Sequence, residues 1–200
     1  MDMRRWIPVV LAVCLLTGCA GQSAPPSEES AETPQEDAVT LPGEYPKELV
    51  FASGAGAWGT ALTLEADGSF AGRYDDSEMG DDRYPRGVHY ICEFAGRFTD
   101  LRQVDETTYA MTLNGVEILT KETQPWEEDG VGYIPSDPVG VETGTEFYFY
   151  TPERPLEGLD EEFLSWWPDN WQREEKGLTT LGCWAIHNVE TGCGFFTWGS

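Results

Sequence analysis

Basic residues are scarce. The 200-residue chain carries 12 Lys and Arg against 36 Asp and Glu, a formal charge of -24. That field repels phosphate backbones and anionic headgroups, so nucleic acid is excluded as a partner. Histidine is scarcer still, with two in the whole chain. Neither G-x-S-x-G nor H-E-x-x-H occurs, so the nucleophile-elbow hydrolase and zinc-protease templates lack their parts. Long apolar runs are missing as well. The run from Trp6 to Leu16 has eleven residues, whereas a membrane-crossing helix takes about 20.

That short run is informative for another reason. Arg4 and Arg5 precede it and "LTGC", Leu16 to Cys19, ends it, the charge–apolar–small layout of a signal peptide. "LTGC" resembles the lipobox of bacterial lipoproteins, with Leu at the third position before Cys and two small residues between. The resemblance implies that residues 1–18 are removed and that the Cys19 thiol receives a diacylglycerol. The chain is then expected on the outer side of a cell membrane, of the Gram-positive type. Each buried methylene contributes about 0.8 kcal/mol, so two acyl chains anchor stably where one is marginal.

After Cys19 the sequence is rich in Pro, Ser, Glu and Ala, with no base before Lys47 and no periodicity. Such a segment buries too little to order itself. Residues 19–44 therefore read as the lipidated cysteine and an acidic tether, with a reach of about 25–30 Å. Residues 45–200 read as a single β-rich extracytoplasmic domain without internal repeats, expected to be a monomer.

"GAGAWG", Gly54 to Gly59, matches the dinucleotide fingerprint G-x-G-x-x-G. The fingerprint works only where the third glycine opens a helix that holds the pyrophosphate. Here Thr60, Leu62 and Leu64 alternate with Ala61, Thr63 and Glu65, which is the period of a strand. We read a glycine-rich bend feeding a strand, and no nucleotide or other cofactor is expected.

Turn chemistry sets two hairpin registers. A three-residue loop Ala66-Asp67-Gly68 places Leu64 opposite Phe70 and Thr60 opposite Tyr74. A three-residue loop Glu190-Thr191-Gly192 pairs Val189 with Cys193, Ile186 with Phe196 and Trp184 with Trp198, and puts the large apolar side chains on matching faces. In that register Cys183 does not face Cys193, so no disulfide is expected between them. "GVHYICEFAGRF", "TTYAMTLNGVEIL" and "GTEFYFYT" read as further strands, with a break at Asn114-Gly115. "LDEEFLSWWP" carries a helix signal: Asp160 as cap, acids in the first turn and Pro168 as stop. The fold class is all-β, an antiparallel up-and-down barrel or sandwich with one short helix near 160–167.

"GAWGTALTLEADGSFAGRY" resembles the opening hairpin of lipocalin-like and calycin-like exported proteins, where G-x-W enters the first strand. The domain is also similar to clostridial-type lipoproteins that have no assigned activity. A lipocalin implies eight strands and an apolar ligand cavity.

The chemistry-bearing residues assemble poorly. "DDSEMGDD", Asp75 to Asp82, fails the EF-hand pattern and reads as a solvated acidic turn. His89 and Cys92 point to opposite faces of their strand, so no zinc set forms. No metal ligands and no catalytic residues are assigned, and the protein is read as not an enzyme. The aromatics remain. Trp58, Trp166, Trp167, Trp171, Trp184 and Trp198 are the candidate ligand contacts, with one of Trp166 and Trp167 capping the barrel and the other packing on its rim. Trp58, Leu62, Leu64, Phe70, Tyr90, Phe94, Met111, Phe147, Phe149, Trp184, Ile186, Phe196 and Trp198 are expected to share one mostly filled interior, closed at one end by the helix near Phe163. The expected role is binding of a small ligand, a glycan or a protein partner. The alternatives are a carbohydrate-binding β-sandwich with coplanar exposed aromatics, or a carboxylate-dependent hydrolase with an open cleft.

Overall fold

The structure, a computed structural model, describes residues 39–54 and 56–198. The expected lipobox, Cys19 and most of the tether lie outside the described residues. Ten strands form one sheet: β1 (Lys47–Ala52), β2 (Trp58–Leu64), β3 (Ser69–Glu78), β4 (Val88–Asp105), β5 (Thr108–Ile118), β6 (Trp126–Glu128), β7 (Val131–Pro135), β8 (Glu146–Tyr150), β9 (Ala185–Asn188) and β10 (Gly194–Phe196). Eight of them close a ring of antiparallel neighbours in the order β1-β2-β3-β4-β5-β8-β9-β10. Closure runs through the pairing of β10 with β1 at Val50 and Phe196. The architecture is thus a lipocalin-like all-β barrel. The hairpin β6–β7 is an excursion outside the ring, and β7 lies parallel to the start of β4.

Alternation decides what fills the barrel. Along β2, Thr60, Leu62 and Leu64 are buried while Ala61 and Thr63 are exposed. Along β4, Cys92, Phe94 and Phe98 point inward, so the Cys92 thiol is a small core group whose pKa burial raises. Phe70, Phe94, Phe98, Phe147 and Phe149 occupy the middle of the interior with Leu62, Leu64 and Met111. Two glycines make room for them. A Cβ at Gly72 would collide with the Phe94 ring, and one at Gly96 with the Phe70 ring. The β2–β3 hairpin has the expected register, Leu64 to Phe70 and Thr60 to Tyr74, with Gly68 in the left-handed region (φ 82°). The expected break at Asn114-Gly115 is a bulge inside a continuous β5, where the register with β4 shifts between Gly96 and Phe98.

The β9–β10 register departs from expectation by one residue. Phe195 faces Ile186, and Phe196 faces Ala185. The loop has four residues, 189–192: Asn188 N–H donates to the Cys193 carbonyl, and the Asn188 side-chain oxygen accepts from the N–H groups of Glu190 and Thr191. Phe195 therefore enters the interior, while Phe196 points outward. Both faces of this hairpin are buried, so the apolar pattern could not choose between registers. Trp198 does not join the interior either: it is 63% exposed. Cys183 and Cys193 are free thiols, and burial pushes the Cys183 pKa up to about 12.

The outward side of β8, β9 and β10 carries a second core. The residues between β8 and β9 form α1 (Glu161–Ser165), a 3-10 turn (Asn170–Gln172) and α2 (Arg173–Lys176). The Asp160 carboxylate caps α1 by accepting from the N–H groups of Glu162 and Phe163. Phe163, Leu164, Leu156, Leu159 and Leu181 cover Tyr150, Ala185 and Phe196 on the barrel wall. The helix near Phe163 thus lies against the outside of the barrel rather than closing its end. Five residues of helix gain stability from this apolar face rather than from propensity.

Candidate binding surfaces on the barrel wall

The six candidate tryptophans do not form one site. Trp58 and Trp166 meet at the rim where β1 ends and β2 begins, with ring centroids 5.9 Å apart, and both pack edge-on against Phe51. Trp166 is the cap: it follows α1 and turns over the rim into the interior cluster. Trp167 stays on the outer wall, buried, and its indole N–H donates to the Leu181 carbonyl at 3.1 Å. Trp184 stacks on Phe149 at the opposite rim. Trp171 and Trp198 are exposed, at 80% and 63%.

Both rims are covered. At the Trp58 rim the segment 136–145 crosses the mouth. The Thr60 hydroxyl donates to the Val139 carbonyl, the Asn188 amide donates to the carbonyls of Gly140 and Thr143, and Val141 is buried in the interior cluster. At the other rim Leu41, inside the stretch read as tether, is buried, and its N–H donates to the Ala66 carbonyl. Lys47 points inward beneath it. Its ammonium donates to the Glu44 carbonyl at 2.8 Å and lies 3.8 Å from the Trp184 ring centroid. Desolvation lowers its pKa, and the cation–π contact compensates part of that cost.

A row of aromatic and polar side chains lies instead on the outside. Ser77, His89, Tyr133 and Trp126 sit opposite one another on β3, β4, β7 and β6. Tyr133 stacks on Trp126 at 5.0 Å with the planes 14° apart, and on His89 at 5.7 Å and 26°. The rings stand upright as a ladder on the wall, and β6 is the edge of the sheet. Beside the ladder, the His89 imidazole stands 3.8 Å from the Asp75 carboxylate, and Arg73 bridges Asp75 at 3.2 Å and Glu93 at 3.3 Å. Such exposed pairs contribute little stability.

The sequence reading missed this ladder because it placed no strand between Leu119 and Gly144. A signal was present: "EEDGVG" holds an Asp-Gly pair between two short runs. Asp129 and Gly130 both have positive φ, 52° and 80°, the type I′ turn that Asp-Gly favours. "GAGAWG" is the bend it was read to be. Gly56 N–H donates to the Ser53 carbonyl, and β2 starts at Trp58. Among the described residues no group of three metal-ligating side chains converges.

No protein-family model, curated protein or solved structure matches the chain.

Proposed function

We propose that this chain is a non-catalytic, lipid-anchored binding module that faces the outside of the cell and meets its partner with the outer wall of its barrel. The carrying observation is the contrast between inside and outside. The interior is occupied by the chain's own phenylalanines and leucines, and both rims are covered, whereas the outer wall presents the Trp126–Tyr133–His89 ladder. An anchor at Cys19 would hold the barrel near the membrane and leave accessible the Trp126 side of the wall, which the second core does not cover.

Two measurements test it. Replacing Cys19→Ala should move the protein from the detergent phase to the aqueous phase. Titration with dansyl-aminoundecanoate should give no saturable energy transfer from Trp58 or Trp184. Saturable uptake of that apolar probe would return the protein to the cavity-binding class.

A glycan is the second reading, favoured by one observation: Trp126 lies on the edge strand, with Tyr133 against one face of its ring. A sugar ring can extend such a stack. An oligosaccharide array should then show binding that Trp126→Ala abolishes and Trp171→Ala leaves intact.

A further inference from the structure

The barrel ring has one incomplete seam. β5 pairs with β8 from Thr108 to Thr112, and the Leu113 N–H donates to the Thr145 carbonyl. Beyond that point β5 continues to Ile118, still paired with β4, but no described strand lies along its other edge. The segment 136–145 leaves that edge to cover the barrel mouth. Between the two remains a recess of about 370 Å³, lined by Val116, Ile118, Pro138 and Val141, with Asp137 and Glu142 among its walls. Ile118 is half exposed at its margin. No Lys or Arg lines it.

We propose that this seam is a docking site for an extended peptide that alternates apolar and basic residues and adds a strand beside residues 114–118 of β5. This rests on the outer-wall reading above and names the partner's chemistry. Three features converge. A strand with a vacant edge offers main-chain hydrogen bonds to an incoming strand. Successive side chains of that strand point to opposite faces, so alternate apolar residues enter the recess. The carboxylates of Asp137 and Glu142 are exposed at the mouth of the recess, where they attract the basic positions that face outward. Charge also selects the occupant. The chain's own segment 20–46 contains no base, and a second copy carries the same formal charge of -24. Both are repelled where a basic peptide is attracted.

The test uses the full chain in detergent and three fluorescein-labelled heptapeptides: Lys-Val-Lys-Ile-Lys-Val-Lys, its Glu-Val-Glu-Ile-Glu-Val-Glu counterpart, and the basic peptide N-methylated at alternate residues. Anisotropy should show saturable binding of the first only. Amide shifts should concentrate at residues 114–118 and 137–145. The double reversal Asp137→Lys/Glu142→Lys, at two exposed positions, should weaken the basic peptide by about tenfold or more and admit the acidic one. Equal binding of the basic and acidic peptides, binding that survives N-methylation, shifts confined to the Trp126 ladder, or no binding of any peptide would each overturn the proposal. Those outcomes leave the outer-wall reading standing, because only uptake of the apolar probe sinks that one.

Discussion

Phe94 and Phe163 are both fully buried, yet they lie on opposite sides of one barrel wall. Phe94 is enclosed by residues drawn from strands around the ring, including Leu62 of β2, Phe70 of β3 and Phe98 of its own strand. Phe163 belongs to one contiguous insertion, residues 151–184, which packs it against the outer side of β8, β9 and β10. The inner core cannot open without breaking the ring. The outer core is a layer supplied by one segment of chain and tied to the inner core at Trp166. The wall between them is buried on both faces, which is why Tyr150, Ala185, His187 and Phe196 are all buried although they point away from the barrel axis.

The sharpest way to break this comparison is to truncate one ring on each side. Phe94→Ala should cost about 3–5 kcal/mol, out of about 5–15 kcal/mol in total. Phe163→Ala should sit at the lower end, about 3 kcal/mol, because the insertion can settle over the gap. Urea unfolding measures both. Hydrogen exchange separates them: Phe163→Ala should speed exchange mainly across residues 156–181, and Phe94→Ala across every strand. Equal, global acceleration by both would show a single core.

The next effect depends on pH. His187 is buried in the outer core, 4.5 Å from the Phe163 ring, with the Tyr150 hydroxyl 3.2 Å from Nδ1. Burial lowers its pKa to about 4, although the Asp160 carboxylate pulls the other way. The folded state therefore keeps it neutral while the unfolded chain protonates near 6.5. Its stabilising share is fully present above about pH 6.5 and declines as pH falls from there toward 4, by at most about 3 kcal/mol. His187→Gln should flatten that slope in a pH series of urea midpoints. An unchanged slope would assign the pH dependence elsewhere.

Smaller effects sharpen the picture at the rim and surface. The Trp166 indole N–H is buried without an acceptor among the described residues. Trp166→Phe should leave stability unchanged or raise it by up to about 1 kcal/mol, since an unsatisfied donor is removed and a six-membered aromatic ring still packs at the rim. A loss above about 1 kcal/mol would reveal a hydrogen bond at that nitrogen. Trp171→Ala, far out in solvent, should change stability by no more than about 0.5 kcal/mol.

The two hairpins show what could be read from sequence. Around Asp67-Gly68 one face is solvent, so alternation of Leu62, Leu64 and Phe70 with Ala61, Thr63 and Ala71 fixed the register correctly. Around Thr191-Gly192 the second core erases that alternation, and the Asn188 side chain, rather than the glycine alone, sets the loop. The helix was legible from its cap, but its side of the wall was not, because Phe163 and Trp166 are apolar whichever core they enter. The ladder needed β7 to lie parallel beside β4, a non-local pairing that no window of sequence displays.

The junction of β1 with β10 has a consequence for timing. Val50 waits for Phe196, so nearly the whole chain must be present before the ring can shut. Local hairpins such as β2–β3 can form early, but closure brings together the most distant strands and is entropically slow. A chain threaded N-terminus first across a membrane would therefore remain an open, extensible meander throughout its passage. It would become a barrel only after β10 has emerged on the far side.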